Sequence, residues 1–150
     1  MSLFTERLIQ ARNRDNLVLI IGNGGSLVNA LHFELHLQER GLRAISITNP
    51  AILSARANDY GTDLMFSTSV SALGRTDDIL IAISGSGQSP NILKAARTAL
   101  TRGLFVVGIS FNGGCDLLKY SSLPILIPTT DMGEFEDLVS TLSHTLKQQL

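Results

Sequence analysis

Cysteine occurs once, as Cys115, so an intrachain disulfide is excluded and a reducing, cytoplasmic setting is expected. An excess of charge of one sign is also missing. The formal net charge is -1, which argues against a general binder of nucleic acid or membrane surfaces. No apolar run reaches transmembrane length, and no signal-peptide pattern opens the chain. Linkers, low-complexity tracts and internal repeats are lacking too. Residues 1–150 therefore read as one domain, long enough for a real core.

What is present is an alternation. Apolar runs at 17–21, 43–48, 78–83, 104–109 and 123–127 read as strands. Helical stretches fall at 3–13, 26–40, 51–57, 63–73, 90–101, 115–120 and about 133–149. Near-continuous apolar strands alternating with helices predict an α/β protein. Its form is a three-layer sandwich, a five-stranded parallel sheet with helices on both faces. In such sheets ligands bind beyond the carboxyl ends of the strands.

Two loops stand at such ends. After the third strand comes Ser84-Gly85-Ser86-Gly87-Gln88-Ser89, followed by Pro90. Ser89 suits the N-cap of the next helix and Pro90 its first position. A helix N-terminus favours an anion through its free N–H groups and its dipole. Small residues let the backbone wrap that anion closely. The loop has no Lys or Arg, which suits a phosphate monoester held by hydroxyls and amides. After the first strand comes Gly22-Asn23-Gly24-Gly25-Ser26-Leu27. A dinucleotide fingerprint needs Gly where Leu27 stands, and no Walker lysine follows. The better reading is a second backbone cradle for the same ligand.

The three histidines are His32, His36 and His144. His32 and His36 share one helix face a turn apart, a spacing suited to two ligands on one metal. His32 lies about 9 Å along the axis from Ser26. On the closing helix Glu136, Ser140 and His144 form a row at intervals of four. Leu138, Leu142 and Leu146 form an apolar row there, suited either to a partner or to the chain's own sheet. Glu34, two residues from His36, points to the opposite helix face.

These stretches together resemble the SIS (sugar isomerase) domain family, most closely its sedoheptulose 7-phosphate isomerase branch. The likeness rests on Gly22-Asn23-Gly24-Gly25-Ser26, His32-Phe33, Asn58-Asp59-Tyr60-Gly61, Ala72-Leu73-Gly74-Arg75, the serine loop and the closing helix. It runs over about residues 17–149. The resemblance implies a flavodoxin-like SIS fold and an aldose–ketose isomerase yielding a heptose 7-phosphate. It implies sugar contacts at Asn23, Gly24, Gly25, Ser26, Asn58 and Asp59. The phosphate would fall to Ser84, Gly85, Ser86 and Ser89. Metal ligands would be His32, His36, Glu136 and His144, holding zinc or another divalent transition metal. Catalytic roles would fall on His36, His144 and Glu136. A homo-oligomer, dimer or tetramer, is implied as well, with sites completed across subunits.

The chain departs from that branch in three places. Glutamate is usual where His36 stands, and glutamine where Glu136 stands. A longer helical segment usually precedes the first strand, where this chain has only 3–13. Isomerisation through an enediol needs a base at carbon, a proton source at oxygen and stabilisation of the enediolate. With the usual glutamate gone, His36 or Glu136 is the candidate base. A residue bound to metal cannot serve as a free base as well. The alternative is a non-catalytic SIS module that senses a phosphosugar or binds a protein partner, as some replication regulators do. An enzyme acting on another phosphosugar is a third reading.

Overall fold

Ile, Val and Leu dominate five short segments that pair side by side in the computed structural model. Residues 2–113 and 115–150 are described; Met1 and Gly114 lie outside the described residues. The strands are β1 (Leu17–Gly22), β2 (Arg43–Ser46), β3 (Ile79–Ile83), β4 (Phe105–Ser110) and β5 (Leu123–Leu126). Helices are α1 (Leu3–Asn13), α2 (Gly25–Gln38), α3 (Pro50–Tyr60), α4 (Ser67–Leu73), α5 (Pro90–Thr101), α6 (Asp116–Lys119) and α7 (Met132–Gln149). A 3₁₀ turn, Thr62–Leu64, precedes α4. All strand pairs are parallel, in the order β2-β1-β3-β4-β5. The predicted three-layer α/β architecture is what forms.

Alternate strand residues feed two cores. Val18, Ile20, Ile79 and Ile81 pack under α1, α2 and α7, with Phe4, Phe33 and Phe135. Leu19, Ile21, Leu80 and Ala82 pack under α4, α5 and α6, with Phe66, Ile92 and Leu117. Phe135 is fully buried, and burial of such a side chain contributes about 1.5–3 kcal/mol. It seats α7 on the sheet, and α7 carries Glu136 and His144. Leu146 is buried, while Leu138 and Leu142 pack partly buried on the same core. That apolar row is therefore used by the chain's own sheet.

The strand order places a switch point between β1 and β3. From β1 the chain crosses one way to β2, and from β3 the other way to β4. Right-handed crossovers then send α2 and α5 to opposite faces, leaving a crevice between their N-termini.

Two helices differ from the expectation. The stretch 63–73 is not one helix but a 3₁₀ turn followed by α4. Ser67 and Thr68 hydroxyls donate to the carbonyls of Leu64 and Met65, competing with helical pairing there. α3 runs three residues beyond 57, to Tyr60, and ends at Gly61 with φ +87°. Among the described residues no helix is long and apolar enough to cross a membrane.

Candidate active site

Gly22 pairs in register with Ile83, so the two loops leave the sheet side by side. A reciprocal amide pair joins them. Asn23 Nδ2 donates to Asn91 Oδ1 and Asn91 Nδ2 to Asn23 Oδ1, each at 2.9 Å. Between them lies a cleft of about 190 Å³. Asn23 and Ser26 line it from the first loop, Ser84, Gly85, Ser86 and Ser89 from the second, Met132 and Glu136 from α7. No lysine or arginine lines it. Ser89 has N-cap backbone geometry, yet its side chain makes no capping bond. Its hydroxyl remains available to a ligand, within 3.4 Å of the Ser84 hydroxyl. Ser84 Oγ accepts from the Gly87 N–H, which holds the turn.

Two glycines are needed where they stand. Gly24 has φ +53°, a backbone state that favours glycine. At Gly25 a Cβ would overlap the Glu136 carboxylate, so the missing side chain is what admits Glu136 to the cleft. The carboxylate has no hydrogen bond or ion pair to any described residue.

Further along the same helix pair lie the histidines. α2 and α7 run side by side, and His32, His36 and His144 offer ligand atoms all within 4.8 Å of one another. Their ring centroids are 4.3–4.8 Å apart. Glu136 does not join this group, although the resemblance put it among the ligands. It sits eight residues before His144, about 12 Å along the axis, with its carboxylate turned onto Gly25. Burial first, and then the charges of neighbouring His144 and Lys147, hold His32 below its ordinary pKa. For His36, burial again leads, followed by His32, His144 and Lys147. Both rings are therefore neutral near pH 7, the form that ligates a metal. Three imidazoles suit zinc or another divalent transition metal, and the donor set fits such an ion.

Several residues that sequence reasoning missed connect the two regions. Asn29, buried on α2, donates to the Glu136 carbonyl at 3.0 Å and to Ser140 Oγ at 2.8 Å. Its Oδ1 is a buried acceptor with no partner among the described residues. Ser143 is buried against His36. The signal was legible for Ser143. It interrupts the buried row Phe135, Val139 and Leu146 of α7 with a hydroxyl.

Asn58 and Asp59 lie elsewhere. They stand exposed on α3, bonded to each other, and do not line the chain's own cleft. Glu34 turns away from His36 as expected, its carboxylate accepting from the Ser46 N–H on β2. A second hollow, about 210 Å³, opens at the other end of the sheet among Arg7, Arg14, Asp77 and Phe105. It lies at the amino ends of the strands, away from both loops.

A family model of the SIS domain matches residues 4–110. A phosphoheptose isomerase of Campylobacter jejuni is 35% identical over 150 residues, covering 95% of this chain and 81% of that one. The chain belongs to the SIS-domain family, in its phosphoheptose isomerase branch. Another member, from Rhodospirillum rubrum, is 37% identical over 136 residues, 86% of this chain and 72% of its own. The solved phosphoheptose isomerase of Neisseria gonorrhoeae superposes with a TM-score of 0.92 at 30% identity. That match covers 97% of this chain and 81% of that one. The Francisella tularensis enzyme gives 0.91 at 29%, covering 97% and 82%.

Proposed function

We propose that this chain is an aldose–ketose isomerase interconverting sedoheptulose 7-phosphate and a heptose 7-phosphate. One observation carries the reading: a serine-lined cleft with no lysine or arginine, the Glu136 carboxylate within it and a three-imidazole cluster all border α7. Ser84, Ser86 and Ser89, with the backbone at Gly85, take the phosphate. Asn23, Gly24, Gly25 and Ser26 line the sugar's path toward α7. His32, His36 and His144 hold zinc or another divalent transition metal, which when bound would polarise the sugar carbonyl as a Lewis acid. Their part is then to ligate, which removes His36 and His144 as free bases. Glu136 is left to take the proton from the carbon next to the carbonyl and return it to the former carbonyl carbon, while the hydroxyl proton passes the other way between the two oxygens of the enediol.

Residues 1–150 act as one SIS domain in this reading, since one sheet carries both cores and the whole cleft. The buried Cys115 suits a reducing cytoplasm. A homo-oligomer accounts for an apolar stripe on α2 beside His32. Val28 is 65%, Leu31 47% and Leu35 53% exposed, an unusual cost for a free helix face. Asn58 and Asp59, outside their own chain's cleft, would then serve a neighbouring subunit's site. Sedimentation would show a dimer or tetramer, and Leu31→Lys would dissociate it.

The direct test follows sedoheptulose 7-phosphate by NMR with purified protein before and after zinc loading. Turnover that rises with zinc and is lost in His144→Ala is expected. Phosphosugar binding without turnover would favour the sensing module instead, the reading that histidine in place of glutamate at position 36 supports.

A further inference from the structure

Ser143 has one hydroxyl proton to give. In the structure it gives that proton to the Ser140 carbonyl, at 2.7 Å. The same oxygen lies 3.1 Å from Nδ1 of His36. With its proton spent, Ser143 Oγ faces His36 with lone pairs only. The contact is favourable only if Nδ1 of His36 carries a proton. Ser143 is 1% and His36 4% exposed, so water does not compete for either group. A neutral imidazole with its proton on Nδ1 has its lone pair on Nε2.

We propose that Ser143 is a positioning residue that fixes His36 as the Nδ1–H tautomer. Nε2 is thereby the nitrogen His36 offers toward His32 and His144. The proposal deepens the metal-site reading above and rests on it for its purpose, though not for its geometry. A ligating histidine commonly needs its second nitrogen tied to an acceptor, which sets tautomer and ring orientation. The usual acceptor is a carboxylate or a backbone carbonyl. Here a serine hydroxyl serves, because donation to the helix's own carbonyl turns it into a pure acceptor. The arrangement matters at position 36 in particular. A glutamate there would have no tautomer to set, whereas a histidine presents the wrong nitrogen if left unconstrained.

The first measurement is made on the metal-free full chain at pH 8, well above the lowered pKa of His36. Long-range proton–nitrogen correlation spectra distinguish the two ring nitrogens, with His36→Gln supplying the assignment. His36 as Nδ1–H in the wild type supports the proposal; His36 as Nε2–H overturns it without any need for a variant. Ser143→Ala is expected to release the tautomer and to weaken Co²⁺ binding by about 10- to 100-fold. Ser143→Thr, which keeps the hydroxyl, is expected to restore both. Ser143→Ala retaining Nδ1–H would also overturn the proposal. A wild type that shows Nδ1–H yet takes up no Co²⁺ supports the role of Ser143 and counts against the metal site instead.

Discussion

The two halves of the site are made from different materials. The phosphate cleft is backbone, glycine and serine hydroxyls, placed by strand register and held by the Asn23–Asn91 amide pair. The histidine cluster is long side chains on two packed helices, held by the burial of Phe33, Phe135 and Val139. In the proposed reading an anion in the cleft would be shared among many weak donors, so no one residue would dominate. In the same reading chemistry at the other end would depend on a few groups with no substitutes. Single substitutions should therefore grade affinity in the cleft and abolish function along α7.

The sharpest break of this contrast is expected at Glu136, which stands in the cleft and is the proposed base. Glu136→Gln should lower kcat by about 10²- to 10⁴-fold, the usual worth of a positioned acid–base group. KM should change little. The double variant His36→Glu/Glu136→Gln moves the carboxylate to the position usual in the family and should recover activity. A single variant with near wild-type kcat would remove Glu136 from the mechanism. Next in size is His144→Ala. Turnover should fall at least about 100-fold and zinc content should drop, while phosphosugar affinity holds. Loss of affinity in parallel would mean that the two regions are not separable. Smaller again is Ser86→Ala, expected to weaken phosphosugar binding about 10-fold, as for one hydrogen bond to a charged group. Metal content should be unchanged. Calorimetry reads both quantities, and unaltered affinity would take Ser86 out of the phosphate site.

The same contrast governs what the sequence revealed. Strands buried on both faces are near-continuous apolar runs, so the sheet was plain from Leu17, Ile79 and Phe105 onward. The loops were equally plain, because Gly24 and Ser89 are residues chosen for backbone geometry. The histidines were legible as an i, i+4 pair. Their meeting with His144 followed from the family resemblance, since helix spacing cannot say which two helices pack together. The position of Glu136 was not legible. A carboxylate can turn either way from α7, and only the open space over Gly25 decides that it turns toward the cleft. The break between Leu64 and Ser67 was missed because local hydroxyl bonding overrode a plausible helical pattern. Asn58 and Asp59 look like site residues by motif. They stand exposed on α3 and do not line the chain's own cleft, which the motif alone could not reveal.

The smallest expected effect is on acid stability, and it belongs to the histidine end alone. Burial leads in holding His32 and His36 below their ordinary pKa in the folded protein. In the unfolded chain each returns to about 6.5. Between the folded value and 6.5 the unfolded state binds more protons, so stability must fall as pH drops through that window. Above 6.5 both states carry neutral rings, and the two residues contribute no slope. Metal-free protein should therefore lose melting temperature on going from pH 7.5 toward pH 5. His32→Gln/His36→Gln should lose less over the same range, because the groups that resist protonation are gone. The cleft offers a control, since Ser86→Ala alters no titrating group and should track the wild type. Parallel curves for wild type and the double histidine variant would show that the imidazoles are not desolvated as the packing of α2 on α7 requires. A flatter curve in the variant alone would place this acid sensitivity at His32 and His36, two of the three clustered rings.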